Sequence, residues 1–276
     1  MSTEGVYTPQ WWAPGAAESA QRGFANGAAE RHSEVTTLIR ENLKTIQNEI
    51  QSACQRANRD PAQVTLIAVS KTKPVSALRE AYDAGARDFG ENKVQELIDK
   101  IPQLPEDIRW HMIGHLQRNK VKYIVGKVAL IHSVDSLRLA EEISRESLRQ
   151  GVETDILIEV NVSGEESKYG VSLTEAPELV EKIALLPGIH VKGLMTIAPY
   201  TEVAEKNRLY FDKLTQLSVD IKAKNIDNVS MNILSMGMTG DYSVALEEGA
   251  TCIRVGTGIF GDRNYTGHQP GQKDRE

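Results

Sequence analysis

The feature that most constrains this 276-residue chain is an alternation of two kinds of segment: eight short apolar runs, and longer stretches whose apolar residues return every three or four positions. The first run, Val64-Thr65-Leu66-Ile67-Ala68-Val69, is β-branched and nearly all apolar, as expected of a strand buried on both faces. The others fall at residues 86–89, 110–113, 130–134, 156–162, 190–196, 229–234 and 251–255. Helical spacing is clearest over 136–150, 174–186 and 202–224, and Pro74 opens a helix that Gly85 closes. Another helix, with Val35, Leu38, Ile39, Leu43, Ile46, Ile50 and Cys54 on one stripe, precedes the first strand and ends at Asp60-Pro61.

Strands joined by helices pair in parallel, and eight such units close into a barrel at about 250 residues. The expected fold is therefore α/β, a single (β/α)8 TIM barrel over 33–265, with an open doubly wound sheet as the alternative. Residues 1–32 read as a poorly ordered leader, rich in Ala and Gly and interrupted by Pro9 and Pro14. Residues 266–276 read as a tail. A net charge of −6 argues against a general attraction to nucleic acid or anionic lipid, so any anion must be held locally. The chain has no apolar run long enough to span a membrane and no signal-peptide pattern, which points to the cytoplasm. Cys54 and Cys252 stand far apart without a CxxC, which predicts two reduced, buried thiols and no cysteine zinc site.

In such a barrel, chemistry gathers where the strands end. Ser70-Lys71-Thr72-Lys73-Pro74 follows the first strand. There Lys71 is either a solvated loop lysine or an amine whose pKa desolvation lowers enough for Schiff-base formation. After the second strand, Gly90 permits a tight turn while Glu91 and Asn92 begin the next helix, where Asn92 caps the helix or bonds a ligand oxygen. The third strand ends His111-Met112-Ile113-Gly114-His115. Two histidines four apart suit a metal only on a helix, so His111 reads as a core residue and His115 as a mouth residue, with no metal site. The polar loop 163–170, with Lys168, is either a lid or a solvated connection.

Ser235-Met236-Gly237-Met238 and Arg254-Val255-Gly256-Thr257-Gly258 follow the last two strands, where small residues let backbone N–H groups approach a phosphate. Gly256, Gly258 and Gly261 also spell GxGxxG. Only 276 − 261 = 15 residues follow, too few for the acidic residue a dinucleotide fold carries about 20 positions on. A carbonyl-capturing lysine opposite a phosphate cradle calls for a ligand with a carbonyl at one end and a phosphate at the other. Pyridoxal 5′-phosphate fits, and a phosphosugar of a class I aldolase fits less neatly. Arg254, if not simply a rim salt bridge, would face the pyridine nitrogen and keep it unprotonated.

Six ordered motifs carry a resemblance over about residues 35–265: Ala68-Val69-Ser70-Lys71-Thr72-Lys73-Pro74, Phe89-Gly90-Glu91-Asn92, Trp110-His111 with Ile113-Gly114-His115-Leu116-Gln117, Gly193-Leu194-Met195-Thr196-Ile197, Ser235-Met236-Gly237-Met238, and Arg254-Val255-Gly256-Thr257 with Ile259-Phe260-Gly261. Together they resemble the pyridoxal phosphate homeostasis proteins. The resemblance implies a monomeric barrel of the alanine racemase N-terminal type, fold type III among pyridoxal phosphate proteins, with the cofactor in aldimine linkage to Lys71. It also implies Asn92 near the ring, Ser235, Gly256 and Thr257 at the phosphate, Arg254 toward the ring nitrogen, and Met195 and Met236 among the cofactor-binding residues. Lys93 stands where the family more often has Tyr.

A carrier that buffers or delivers the cofactor, with recipient apoenzymes as partners, is the function this resemblance implies. The alternative is a racemase or decarboxylase on the same barrel. Racemases of this type resemble two-domain proteins whose second domain supplies an opposing base, and 276 − 254 = 22 residues follow Arg254, which favours the carrier.

Overall fold

The computed structural model describes residues 28–261, with side chains from Leu38 onward. Most of the expected leader (1–27) and the whole expected tail lie outside the described residues. Helix α1 (Ala28–Arg56) begins inside the stretch read as leader and presents Ile39, Leu43, Ile46, Ile50 and Cys54 as a buried stripe, the spacing that one helical face requires.

Eight parallel strands close into one barrel: β1 (Thr65–Val69), β2 (Asp88–Glu91), β3 (Arg109–Met112), β4 (Leu130–Val134), β5 (Thr154–Glu159), β6 (Ile189–Met195), β7 (Val229–Met238) and β8 (Cys252–Val255). After each strand comes a helix: α2 (Val75–Asp83), α3 (Val94–Lys100), a 3-10 segment (Arg118–Tyr123), α4 (Leu137–Gln150), α5 (Ala176–Ala184), α6 (Arg208–Ala223), α7 (Tyr242–Glu247) and α8 (Thr257–Phe260). The TIM-barrel expectation holds, and the open-sheet alternative fails because β8 pairs back onto β1, from Thr65↔Cys252 to Ala68↔Val255.

Strand alternation divides the core in two. Outward residues such as Phe89, Trp110, Met112, Ile131, Ile158, Leu234 and Ile253 pack under the helices in the main cluster. Each such side chain contributes about 1.5–3 kcal/mol when fully buried. Inward residues form only small clusters, Ile67 with Val69, Ile113 and Cys252, and Leu130 with Leu157 and Met195. Barrel interiors are ordinarily layers of branched apolar side chains. Much of this one is polar: Asp88, His111, His132, Glu159, Ser235 and Arg254 are all buried.

Two local expectations need correction. Glu91 ends β2 rather than opening a helix, and α3 starts only at Val94. Gly90 is a strand glycine, not a turn glycine, because a Cβ there would lie 2.8 Å from Ile67 Cγ2 and 2.9 Å from Ile113 Cδ1. Among the described residues, no helix is long and apolar enough to cross a membrane, and both cysteines are buried and free.

Candidate functional site

Barrel closure places the ends of β1 and β8 side by side, so Lys71 and the glycine loop are neighbours at one seam and not opposed across the mouth. The two ends are in van der Waals reach: a Cβ on Gly256 would lie 3.4 Å from Val69. Ile67 and Val69 face inward, and Lys71 follows two residues beyond Val69 in the turn at the end of β1. Lys71 is half-buried.

The turn carrying Lys71 is held from beneath. Lys73 N–H donates to Ser70 O at 3.0 Å, and Thr72 N–H donates to Glu96 Oε2 at 2.7 Å. Thr72 takes φ 63°, a left-handed conformation that costs a β-branched residue of order 1–3 kcal/mol. Lys100 Nζ donates to Ser70 O (2.9 Å) and to Glu91 Oε1 (2.7 Å), and the Ser70 hydroxyl donates to the same Glu91 oxygen at 2.6 Å. Burial pushes the Glu91 carboxyl up despite these partners. Lysine, serine and two glutamates thus fix a strained turn at the mouth.

Asn92 is half-buried at the next strand end. A Cβ on Gly114 would lie 2.5 Å from Asn92 O, so only glycine lets the loop after β3 pass over Asn92, which explains the Ile113-Gly114-His115 motif. Lys93 is exposed and leaves this packing alone. On the far side Met195 faces inward with Leu130 and Leu157, whereas Met236 belongs to the outer layer, so only its backbone lines the mouth.

Arg254, 4% exposed, is anchored twice: Nη2 donates to Thr196 O at 2.7 Å and Nη1 to Ser235 Oγ at 2.5 Å. The Ser235 hydroxyl, expected beside a phosphate, is occupied here by Arg254 and by His132 Nδ1 at 2.9 Å. Beyond Arg254 the chain turns at Gly256 into α8, whose first amides have no intrahelical acceptor. Exposed Thr257 places its Oγ1 3.2 Å from Thr239 Oγ1, which ties the loops after β7 and β8 together.

His132, Glu159 and Asp88 have no signature in the sequence, since isolated polar residues in apolar strands carry no spacing signal. Burial above all, with the Arg254 guanidinium nearby, holds the His132 imidazole well below its usual range and therefore neutral. Glu159, 5% exposed at the end of β5, has its carboxyl raised to about 7 by burial and by the charge of Asp135, against the opposing pull of Arg254. Its Oε2 has no hydrogen-bond partner. At the rim His115 stacks on Tyr169 at 4.2 Å between ring centres, and Lys168 Nζ lies 3.4 Å from Ile197 O, so the 163–170 loop leans over the mouth.

The residues present fit the cofactor that the motifs imply. One mouth combines a half-buried strand-end lysine, a buried guanidinium that is always cationic, open amides at a glycine turn and a buried carboxyl oxygen still unsatisfied. Among the described residues, no three His, Cys, Asp or Glu side chains gather as metal ligands.

The profile for "Alanine racemase, N-terminal domain" matches residues 42–264. The pyridoxal phosphate homeostasis protein of Aquifex aeolicus is 47% identical over 226 residues, 82% of this chain and 98% of that protein. That of Escherichia coli K12 is 39% identical over 233 residues, 83% and 98% of the two chains. Among solved structures, PipY of Synechococcus elongatus with pyridoxal phosphate bound superposes with a TM-score of 0.70 at 35% identity, covering 81% of this chain and all of that one. An alanine racemase of Clostridium difficile, TM-score 0.66 at 12% identity over 83% of this chain and 58% of its own, shares the fold.

Proposed function

The chain belongs to the alanine racemase N-terminal domain family and, within it, to the pyridoxal phosphate homeostasis proteins, and from that footing we propose that it binds pyridoxal 5′-phosphate at the β1–β8 seam and holds it for use elsewhere. The observation that carries this reading is the juxtaposition, by strand pairing, of the Lys71 turn with Arg254, Gly256 and Thr257. Bound pyridoxal phosphate supplies an aldehyde that captures an amine reversibly.

Each residue then has a role. Lys71 offers the amine from a turn fixed by Glu96 and Lys100. The amides of Gly256 and Thr257, with the Thr257 hydroxyl, hold the phosphate where the first turn of α8 favours negative charge. Arg254 faces the ring nitrogen and denies it a proton, which weakens the ring as an electron sink. Asn92 and Met195 bound the ring, Met236 contributes backbone, and Ser235 acts through Arg254. Thr257 is exposed and Lys71 half-buried, so the loaded site stands where a recipient apoenzyme reaches it. The protein works as a cytoplasmic monomer.

Titration with pyridoxal phosphate, followed by visible absorption for wild type and Lys71→Ala, tests the binding. The wild type should develop a band that the variant lacks. Incubation with single amino acid enantiomers tests the carrier role, since turnover of about 1 per second or faster, within the enzyme range, would replace it with a racemase or decarboxylase.

A further inference from the structure

Cofactor binding as described uses only one end of the polar chain inside the barrel. From β8 the chain runs Arg254 Nη1 to Ser235 Oγ (2.5 Å), Ser235 Oγ to His132 Nδ1 (2.9 Å), His132 Nε2 to His111 Nδ1 (3.0 Å) and His111 Nε2 to Asp88 Oδ1 (3.1 Å). All five residues are buried. At the far end Arg109, at the start of β3, grips both Asp88 oxygens, its Nε lying 2.7 Å from Oδ1. Burial alone would raise the Asp88 carboxyl, but the hydrogen bonds from His111 and Arg109 outweigh it and keep the group ionised.

The two ends dictate the direction of the outer bonds, and the proton count decides between the two arrangements left for the inner ones. A guanidinium has no lone pair to offer, so Arg254 must donate to Ser235. An ionised carboxylate has no proton to offer, so His111 must donate to Asp88 through Nε2. With one ring proton, His111 presents a lone pair at Nδ1, and the His132 proton then sits on Nε2. His132 Nδ1 is left as an acceptor, and the Ser235 hydroxyl must donate to it. No atom of the chain is left unsatisfied. The reverse arrangement needs an imidazolium at His111, a proton on His132 Nδ1 and an outlet for the Ser235 hydroxyl proton, for which the neighbouring Cys252 sulfur is only a weak acceptor.

We propose that His132 is a positioning residue for Arg254, through a one-way relay from Arg254 by way of Ser235, His132 and His111 to Asp88. The relay spends the Ser235 proton inside the barrel and fixes the guanidinium from below, while Thr196 O fixes it from the side. The Ser235 hydroxyl therefore has no proton left for a phosphate oxygen, and the phosphate depends on the β8–α8 loop. This inference rests on the proposed cofactor site only for its consequence; the bond directions hold in the cofactor-free protein.

Long-range 1H–15N spectra of cofactor-free protein labelled at histidine, with His111 and His132 assigned through the backbone, test the relay itself. Both rings should carry their proton on Nε2 with Nδ1 bare, and a protonated His132 Nδ1 or a charged His111 would overturn the relay whatever becomes of the cofactor reading. A second arm tests the positioning. His132→Leu should shift the absorption maximum of bound pyridoxal phosphate and speed its release roughly tenfold, the scale of one buried polar group left unsatisfied, while His132→Gln, able to donate and accept, should restore most of both. Unchanged spectra and release in His132→Leu would refute the positioning role. A chain that shows the tautomers but binds no pyridoxal phosphate would sink the site and leave the relay standing.

Discussion

Replacing Glu159 by Gln gives the sharpest stability prediction, because the cost of charging this side chain can be worked from its surroundings. Glu159 is 5% exposed, one carboxylate oxygen lacks a partner, and burial with the Asp135 charge moves the carboxyl from 4.5 to about 7. At 1.4 kcal/mol per tenfold, that displacement makes the ionised form about 3 kcal/mol costlier in the folded chain than in the unfolded one. The carboxyl is raised, so the fold favours its protonated form. The stabilisation is complete below about pH 4.5 and is lost as pH rises through about 7. Glutamine keeps the volume and cannot ionise, so the variant should gain on wild type as pH rises. Unfolding free energies from urea titrations of the cofactor-free proteins should nearly coincide at about pH 5 and separate by up to about 3 kcal/mol, in favour of Gln, at about pH 8. A pH-independent difference between the two, or a variant that loses ground at high pH, would refute the claim that Glu159 is a buried, poorly satisfied carboxyl.

Four other substitutions probe the site and the barrel that carries it. Thr257→Val should speed pyridoxal phosphate release roughly 10- to 100-fold, the worth of one hydrogen bond to a charged group, with the visible maximum unmoved, whereas Arg254→Leu should move the maximum; stopped-flow release and absorption spectra check both. Thr72→Asn, placing a residue tolerant of the left-handed region at φ 63°, should raise the melting temperature by the equivalent of about 0.5–1 kcal/mol, and an unchanged or lower value would show that the turn stores no strain. Gly193→Ala would put a Cβ 1.8 Å from Ile233 O between β6 and β7, and should cost about 3 kcal/mol or more, read as a large fall in urea midpoint or loss of soluble protein.

The barrel was legible because its signal is repetitive. β4 falls on the expected residues, and the other strands shift by a few positions where the ladder, not composition, decides the end. The shift at β2 is instructive: glycine signals a turn in sequence, yet Gly90 serves to admit Ile67 and Ile113 beneath it. Lys71, Arg254 and the glycine loop were legible as strand-end residues. Their adjacency was not, because it depends on β8 returning to β1, a pairing no local pattern encodes. The histidine relay was hidden for a different reason: His111 and His132 lie on neighbouring strands, and only the register of β3 against β4 brings Nδ1 of one to 3.0 Å from Nε2 of the other.

The central claim is chemical and has a direct measurement. Protein loaded with pyridoxal phosphate, reduced with borohydride, digested and mapped by mass spectrometry should carry the pyridoxyl mass on the peptide containing Lys71, and Lys71→Ala should carry none there. A label on Lys73, Lys168 or any other lysine in the wild type, or no label at all, would contradict the account.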